Sequence, residues 1–87
     1  MSPRLQVSIP VEWSETGKVT RCRSIVEELA GGGVFVRTSV PPAAGAAIDL
    51  ELHTDEGAVL ASGTVAWARP GRGMGIAIPE SLEDLFG

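Results

Sequence analysis

Apolar and polar residues alternate along most of this chain with a period of two. Leu5, Val7, Ile9, Val11 and Trp13 fall on one side of an extended segment, with Gln6, Ser8 and Glu12 on the other. Such alternation predicts a half-buried strand. Pro10 lies on the polar side and lacks an N–H, which predicts an edge position or a bulge. Ser14-Glu15-Thr16-Gly17 has turn composition, and a second strand is expected over residues 19–26. A third follows over 34–38. Pro41-Pro42-Ala43-Ala44-Gly45 then makes a rigid connection, because paired prolines exclude both helix and central strand. Ile48, Leu50 and Leu52 alternate with Asp49, Glu51 and His53 in a fourth strand with one wet face. Asp55-Glu56-Gly57 is a hairpin turn. The fifth strand is expected over 59–68, with Val59, Ala61, Val65 and Trp67 on one face. Pro70-Gly71-Arg72-Gly73 turns the chain again, and Met74, Ile76 and Ile78 line a sixth.

The period changes at the end. Leu82, Leu85 and Phe86 stand at helical spacing, and Ser81 with Asp84 has the form of a capping box. A short C-terminal helix covering one mouth or flank of the sheet is expected. The whole predicts one domain over residues 1–87: an all-β, six-stranded antiparallel barrel with that helix. Its core should draw on Val7, Ile9, Val34, Val36, Ile48, Leu50, Val65 and Ile76.

The stretch that organises the chain is Gly31-Gly32-Gly33, between Ile25-Val26 and Val34-Phe35-Val36. Glycine lets the chain reverse sharply or lets another backbone come close. A phosphate-cradling loop would need a helix to follow. The β-branched and aromatic run that does follow favours a strand.

Composition narrows the function. Eleven acidic against seven basic residues give a formal net charge of −4, which argues against nucleic acid and against anionic membrane surfaces. The single cysteine, Cys22, leaves no internal disulfide, and no apolar run is long enough to span a bilayer. No apolar signal-peptide core follows Arg4, so a cytoplasmic location is expected.

Catalysis finds little support in the residues. His53 is the only histidine and sits on a polar strand face, where a solvated side chain is the plainer reading than a triad or metal site. Arg21 and Arg23 flank Cys22, but strand neighbours point to the opposite face, so a quiet, half-buried thiol is expected. The adjacent Glu27 and Glu28 are likewise expected to face opposite ways. Trp13 and Trp67 each close an apolar series and are expected to pack in the core or its rim; the competing reading is an exposed contact. Lys18, Arg21, Arg23, Arg37, Arg69 and Arg72 are scattered, although strand pairing could gather Arg21, Arg23 and Arg37 near the glycine turn.

Taken together, the alternating first strand, Glu28-Leu29-Ala30-Gly31-Gly32-Gly33-Val34-Phe35-Val36, the proline-glycine connection, Ile48-Asp49-Leu50-Glu51-Leu52, Gly63-Thr64-Val65-Ala66-Trp67 and Gly73-Met74-Gly75-Ile76 resemble a PilZ domain. The resemblance implies a six-stranded barrel with a C-terminal helix. It also implies a non-enzymatic, bacterial, cytoplasmic signalling module, whose better-known relatives bind cyclic diguanylate. Two ligand motifs characterise that family. One is Arg-x-x-x-Arg ahead of the first strand; the other is Asp/Asn-x-Ser-x-x-Gly between the second and third. Guanidinium groups would hold phosphate and guanine bidentately, while the acid and hydroxyl would bond the base.

Here Gly33 keeps its place, Glu28 stands for Asp/Asn, and Ala30 stands for Ser. Arg4 matches the second arginine, and the first would fall before Met1. The resemblance therefore implies an adaptor that works through contacts with a protein of a bacterial signalling or motility pathway, without tight cyclic diguanylate binding, cofactor, metal or nucleic acid. The alternative is a cyclic diguanylate receptor with a non-standard site, using Arg4 with Arg21 or Arg23 and the turn residues Glu28, Ala30 and Gly33.

Overall fold

Six strands form in chain order: β1 Leu5–Glu15, β2 Cys22–Ala30, β3 Gly33–Arg37, β4 Ala47–Thr54, β5 Gly57–Arg69 and β6 Gly73–Ala77. The computed structural model describes residues 4–30 and 32–79, so the expected helix lies outside the described residues. All pairings are antiparallel, and the order β1-β2-β3-β6-β5-β4 closes into a barrel through a β1–β4 ladder. Among the described residues no helix is long and apolar enough to cross a membrane.

The inward side chains follow the period-two pattern. Val11 and Trp13 of β1 meet Val26, Val34, Val36, the β4 trio Ile48, Leu50 and Leu52, then Val65, Met74 and Ile76, with Ile78 just past β6. Val7 and Ile9 are only partly buried against this core, because they precede Val11, where β1 begins to pair with β4. Trp13 reconciles its bulk with its one polar atom: its indole N–H donates to Ser24 Oγ at 3.0 Å.

The end of β1 and the start of β2 depart from the alternation for one reason. β1 runs on to Glu15 because its last residues pair with β4, where Glu15 meets Ile48, and not with β2. β2 therefore starts only at Cys22, opposite Trp13. Val19 is left in the loop at 96% exposure. At its other end β2 extends through Glu27 and Glu28 to Ala30, which pairs with Gly33, so the chain reverses between β2 and β3 as expected.

Two prolines end ladders. Thr16 N–H donates to Ala47 O at 2.9 Å, so by alternation Pro10 turns its ring nitrogen toward β4, one residue before the β1–β4 ladder begins at Val11. The β5–β6 register pairs Thr64 with Ala77, which would bring Pro79 opposite Ser62. In both places the missing N–H stops the pairing.

Leu50→Ala is expected to lower stability by about 2–4 kcal/mol, read from denaturant unfolding. A loss below about half a kcal/mol would show that the side chain is not packed in the barrel.

Candidate functional site

Three positions break the alternation, and each break redirects side chains. The β1–β2 register shifts between Gln6 and Ile9, the β2–β3 register between Val26 and Glu28, and the β5–β6 register between Val65 and Trp67. Such bulges insert a residue into one strand and re-aim those beyond it. The third has the largest effect. Val65 points into the core, but Trp67 emerges on the outer surface, 43% exposed. The placement of Trp67 on the Val65 face, and its packing in the core, are thus corrected: this tryptophan is exposed. Trp13, in contrast, is core.

Outside the barrel, Trp67 stacks on Phe35 with ring centroids 5.4 Å apart and planes 21° from parallel. The Arg69 guanidinium lies 5.5 Å from the Trp67 ring centroid, a cation–π arrangement. Gly75 stands opposite Trp67 in register. A methyl group at Gly75 would overlap the indole ring, so only a bare backbone lets the ring lie down there. Gly33 has the same kind of reason: a methyl there would overlap the carbonyl oxygen of Ile76 across the β3–β6 pair.

Beside this stack is a groove of about 280 Å³, lined by Arg4, Glu28, Ala30, Gly32 and Gly33 together with Phe35, Ala66, Trp67 and the outer surface of β6. Four of the residues singled out from the sequence, Arg4, Glu28, Ala30 and Gly33, therefore meet in one place. Arg4 Nε lies 3.3 Å from Glu28 Oε1. Ala30 contributes only a methyl. Phe35 and Trp67 join the groove without having been marked as site residues. The bare Gly75 between Met74 and Ile76 was the one sign that a ring lies across β6.

Arg21 and Arg23 lie elsewhere, near the start of β2. Glu12 and Glu51 are cross-strand partners on β1 and β4, and like charges so placed repel. Arg21 Nη2 lies 3.8 Å from a carboxylate oxygen of each, while Arg23 Nε lies 3.4 Å from Glu12. His53 Nε2 lies 3.4 Å from Glu51 and 3.7 Å from Glu12. Glu12, Glu51 and His53 thus converge, with their ligand-type atoms within 4.8 Å of one another, and the arginines supply the balancing charge. Arg37 pairs with Glu27 at 3.6 Å. Arg21 and Arg23 thus share Glu12, Arg4 and Arg37 have acids of their own, Arg69 lies over Trp67, and Cys22 is half-buried against the core.

Partial burial alone would raise the Glu12 pKa. The charges of Arg21, Arg23 and His53 outweigh it, holding the carboxyl below its ordinary 4.5. A depressed folded-state pKa adds stability that is complete above about pH 4.5 and lost as pH falls through the lower folded value. Glu12→Gln should accordingly flatten the acid side of the stability–pH profile below pH 4.5. An unchanged acid limb would show that Glu12 is not held ionised. A second substitution probes the stack: Gly75→Ala should displace Trp67, red-shift the tryptophan emission and cost about 1–3 kcal/mol. Unchanged emission and melting would show that the indole does not rest on β6.

A family model described as PilZ domain matches residues 1–85. Among solved structures, the PilZ domain of CeSA from a cellulose-synthesizing bacterium superposes with a TM-score of 0.76. It is 23% identical, over 97% of this chain and 88% of that one. The Bacillus subtilis inhibitor of motility, MotI/DgrA, gives a TM-score of 0.74 at 15% identity. That match covers 97% of this chain and 46% of that one, so the present chain spans about half of that protein. At these identities the likeness is one of fold. Among curated proteins none matches.

Proposed function

Because the chain belongs to the PilZ domain family, we propose that it is a non-catalytic signalling adaptor that acts through protein contacts and does not hold cyclic diguanylate tightly. The observation that carries this reading is the state of the groove. Its lining offers one guanidinium, Arg4, and Glu28 engages it at 3.3 Å. Ala30 presents a methyl where the family's motif has a hydroxyl. A dianionic ligand would have to displace the Arg4–Glu28 pair and would then meet the Glu28 carboxylate. Each charge-assisted bond is worth about 1.5–3 kcal/mol, so an Arg4 already held by Glu28 and a motif hydroxyl replaced by the Ala30 methyl weaken affinity by about tenfold or more, at about 1.4 kcal/mol per tenfold. The net charge of −4 gives no steering toward an anion. The exposed Phe35–Trp67–Arg69 stack is instead the residue chemistry of protein contact surfaces.

A second reading is a cyclic diguanylate receptor with a non-standard site. What favours it is that Arg4, Glu28 and Gly33 share one groove with an aromatic pair.

A thermal titration separates the two. Cyclic diguanylate added to tens of micromolar should leave the melting midpoint in place, and so should the same titration on Ala30→Ser. A ligand at about one hundred times its Kd would stabilise by about 2.7 kcal/mol, a shift of roughly ten degrees or more in a domain of this size. A saturable rise of several degrees in the unsubstituted chain would overturn the adaptor reading and establish the receptor.

A further inference from the structure

Closure of the barrel leaves part of one strand unpaired on one side. Val65 N–H donates to Ala46 O at 2.9 Å, and Gly45 N–H donates to Val65 O at 2.7 Å. Val65 thus faces the β4 side, and alternation along the regular β4–β5 register turns Gly63, Ala61, Val59 and Gly57 the same way. Ser62, Leu60 and Ala58 direct their N–H and C=O groups to the other side. There the ladder with β6 ends at the Thr64–Ala77 pair. The next position on that side is Pro79, which has no N–H, and Ile78 N–H donates instead to Gly32 O at 2.9 Å, across toward β3. Among the described residues no strand pairs with Ala58, Leu60 and Ser62 on this edge.

The other overhanging edge is protected. The residues of β1 ahead of Val11 carry Pro10 and a bulge between Gln6 and Ile9, devices that blunt strand addition. Gly57-Ala58-Val59-Leu60-Ala61-Ser62 carries no proline, no charge and no bulge. Leu60 is 70% exposed on it. A depression of about 380 Å³ runs alongside, lined by Leu60, Ala61, Ser62, Ile78, Pro79 and Asp49.

Acids without basic partners flank this edge at both ends, while Glu51, opposite Leu60, is already engaged by Arg21. Asp55 and Glu56 form the tip next to Gly57, and Asp49 stands opposite Ser62, whose hydroxyl donates to Asp49 Oδ1 at 3.1 Å. None of these three acids has a basic partner among the described residues, unlike Glu12, Glu15, Glu27, Glu28 and Glu51. A second copy of the chain would bring a net −4 against −4. An extended segment bearing lysine or arginine would match both the open hydrogen-bonding row and the acids.

We infer that the β5 edge at Ala58, Leu60 and Ser62 is a docking edge for an extended, basic segment of a partner protein, which adds to the barrel as an antiparallel strand. This rests on the reading of the domain as a protein-contact module and names the chemistry of its partner.

Amide hydrogen exchange on the full chain gives the first test. The amides of Ala58, Leu60 and Ser62 should exchange at least tenfold faster than those of Val59 and Ala61. Equal protection would mean that the edge is already covered, by residues 80–87 or, if protection rises with protein concentration, by a second copy; either result overturns the proposal. The second test titrates a terminally blocked seven-residue peptide of alternating valine and lysine, followed residue by residue in amide spectra. Saturable shifts centred on residues 57–63 are expected, with at least tenfold weaker binding of the backbone N-methylated peptide and of the valine–glutamate peptide. Leu60→Pro removes an N–H that points away from β4, and should weaken binding at least tenfold. Leu60→Lys, which adds a cation to the same edge, should do likewise and serves where the proline variant does not fold. Failure of the lysine peptide to saturate by millimolar concentration, equal binding of the glutamate peptide, or indifference to Leu60→Lys would each overturn the proposal. Tight cyclic diguanylate binding would remove the adaptor reading but leave a positive peptide result standing. A negative peptide result with no nucleotide binding would remove only the edge.

Discussion

The ladder between β1 and β4 is the interaction on which the rest of the molecule depends. It joins residues 11–15 to 48–52 and turns an open sheet into a barrel. Trp13 and Leu50 lie opposite each other in it. A chain this short buries a modest fraction of its surface, so its core needs walls on every side. Closure supplies them, and with them the strict inward pattern that keeps polar side chains out of the core. The position of β2 follows from the same ladder, since β1 reaches Glu15 for the sake of β4 and delays the start of β2 to Cys22.

Charge arrangement follows from closure as well. Pairing β1 with β4 sets Glu12 directly against Glu51, and the surface answers with Arg21 between them and Arg23 and His53 alongside. Elsewhere each accessible arginine near the glycine turn has its own acid: Arg4 with Glu28, Arg37 with Glu27. Among the described residues Arg4, Arg21, Arg23 and Arg37 are thus engaged by acids and Arg69 by the Trp67 ring, so no cluster of unpaired arginines forms beside the groove. What the groove offers instead is an aromatic stack and bare backbone.

Much of this was legible in the sequence because inward and outward positions differ in chemistry. Val34, Val36, Ile48, Leu50, Val65 and Ile76 are core as the alternation predicts, and the six strands and the glycine reversal fall where turn residues place them. The convergence of Arg4, Glu28, Ala30 and Gly33 was legible through motif position. Trp67 was not. An unbroken alternation carries it to the Val65 face, and the extra residue at Ala66 that turns it outward is an alanine with no mark of its own. The separation of Arg21 and Arg23 from the groove was hidden too, since it depends on where β2 begins, and that is decided by β4. Val19 shows the same limit: apolar and β-branched, it looks like a strand residue, yet no partner strand reaches it.

Pairing of distant segments also has a kinetic side. The β2–β3, β4–β5 and β5–β6 ladders each join neighbours in the chain, whereas β1–β4 and β3–β6 bring together residues such as Glu15 with Ile48 and Gly33 with Ala77. Contacts of the second kind require long loops to close before any of their stabilisation is gained. The hairpins can form early and independently, but the barrel exists only when both long-range seams are in place. The chain is thereby committed to folding as a unit, on the slower timescale of β-topologies rich in non-local contacts.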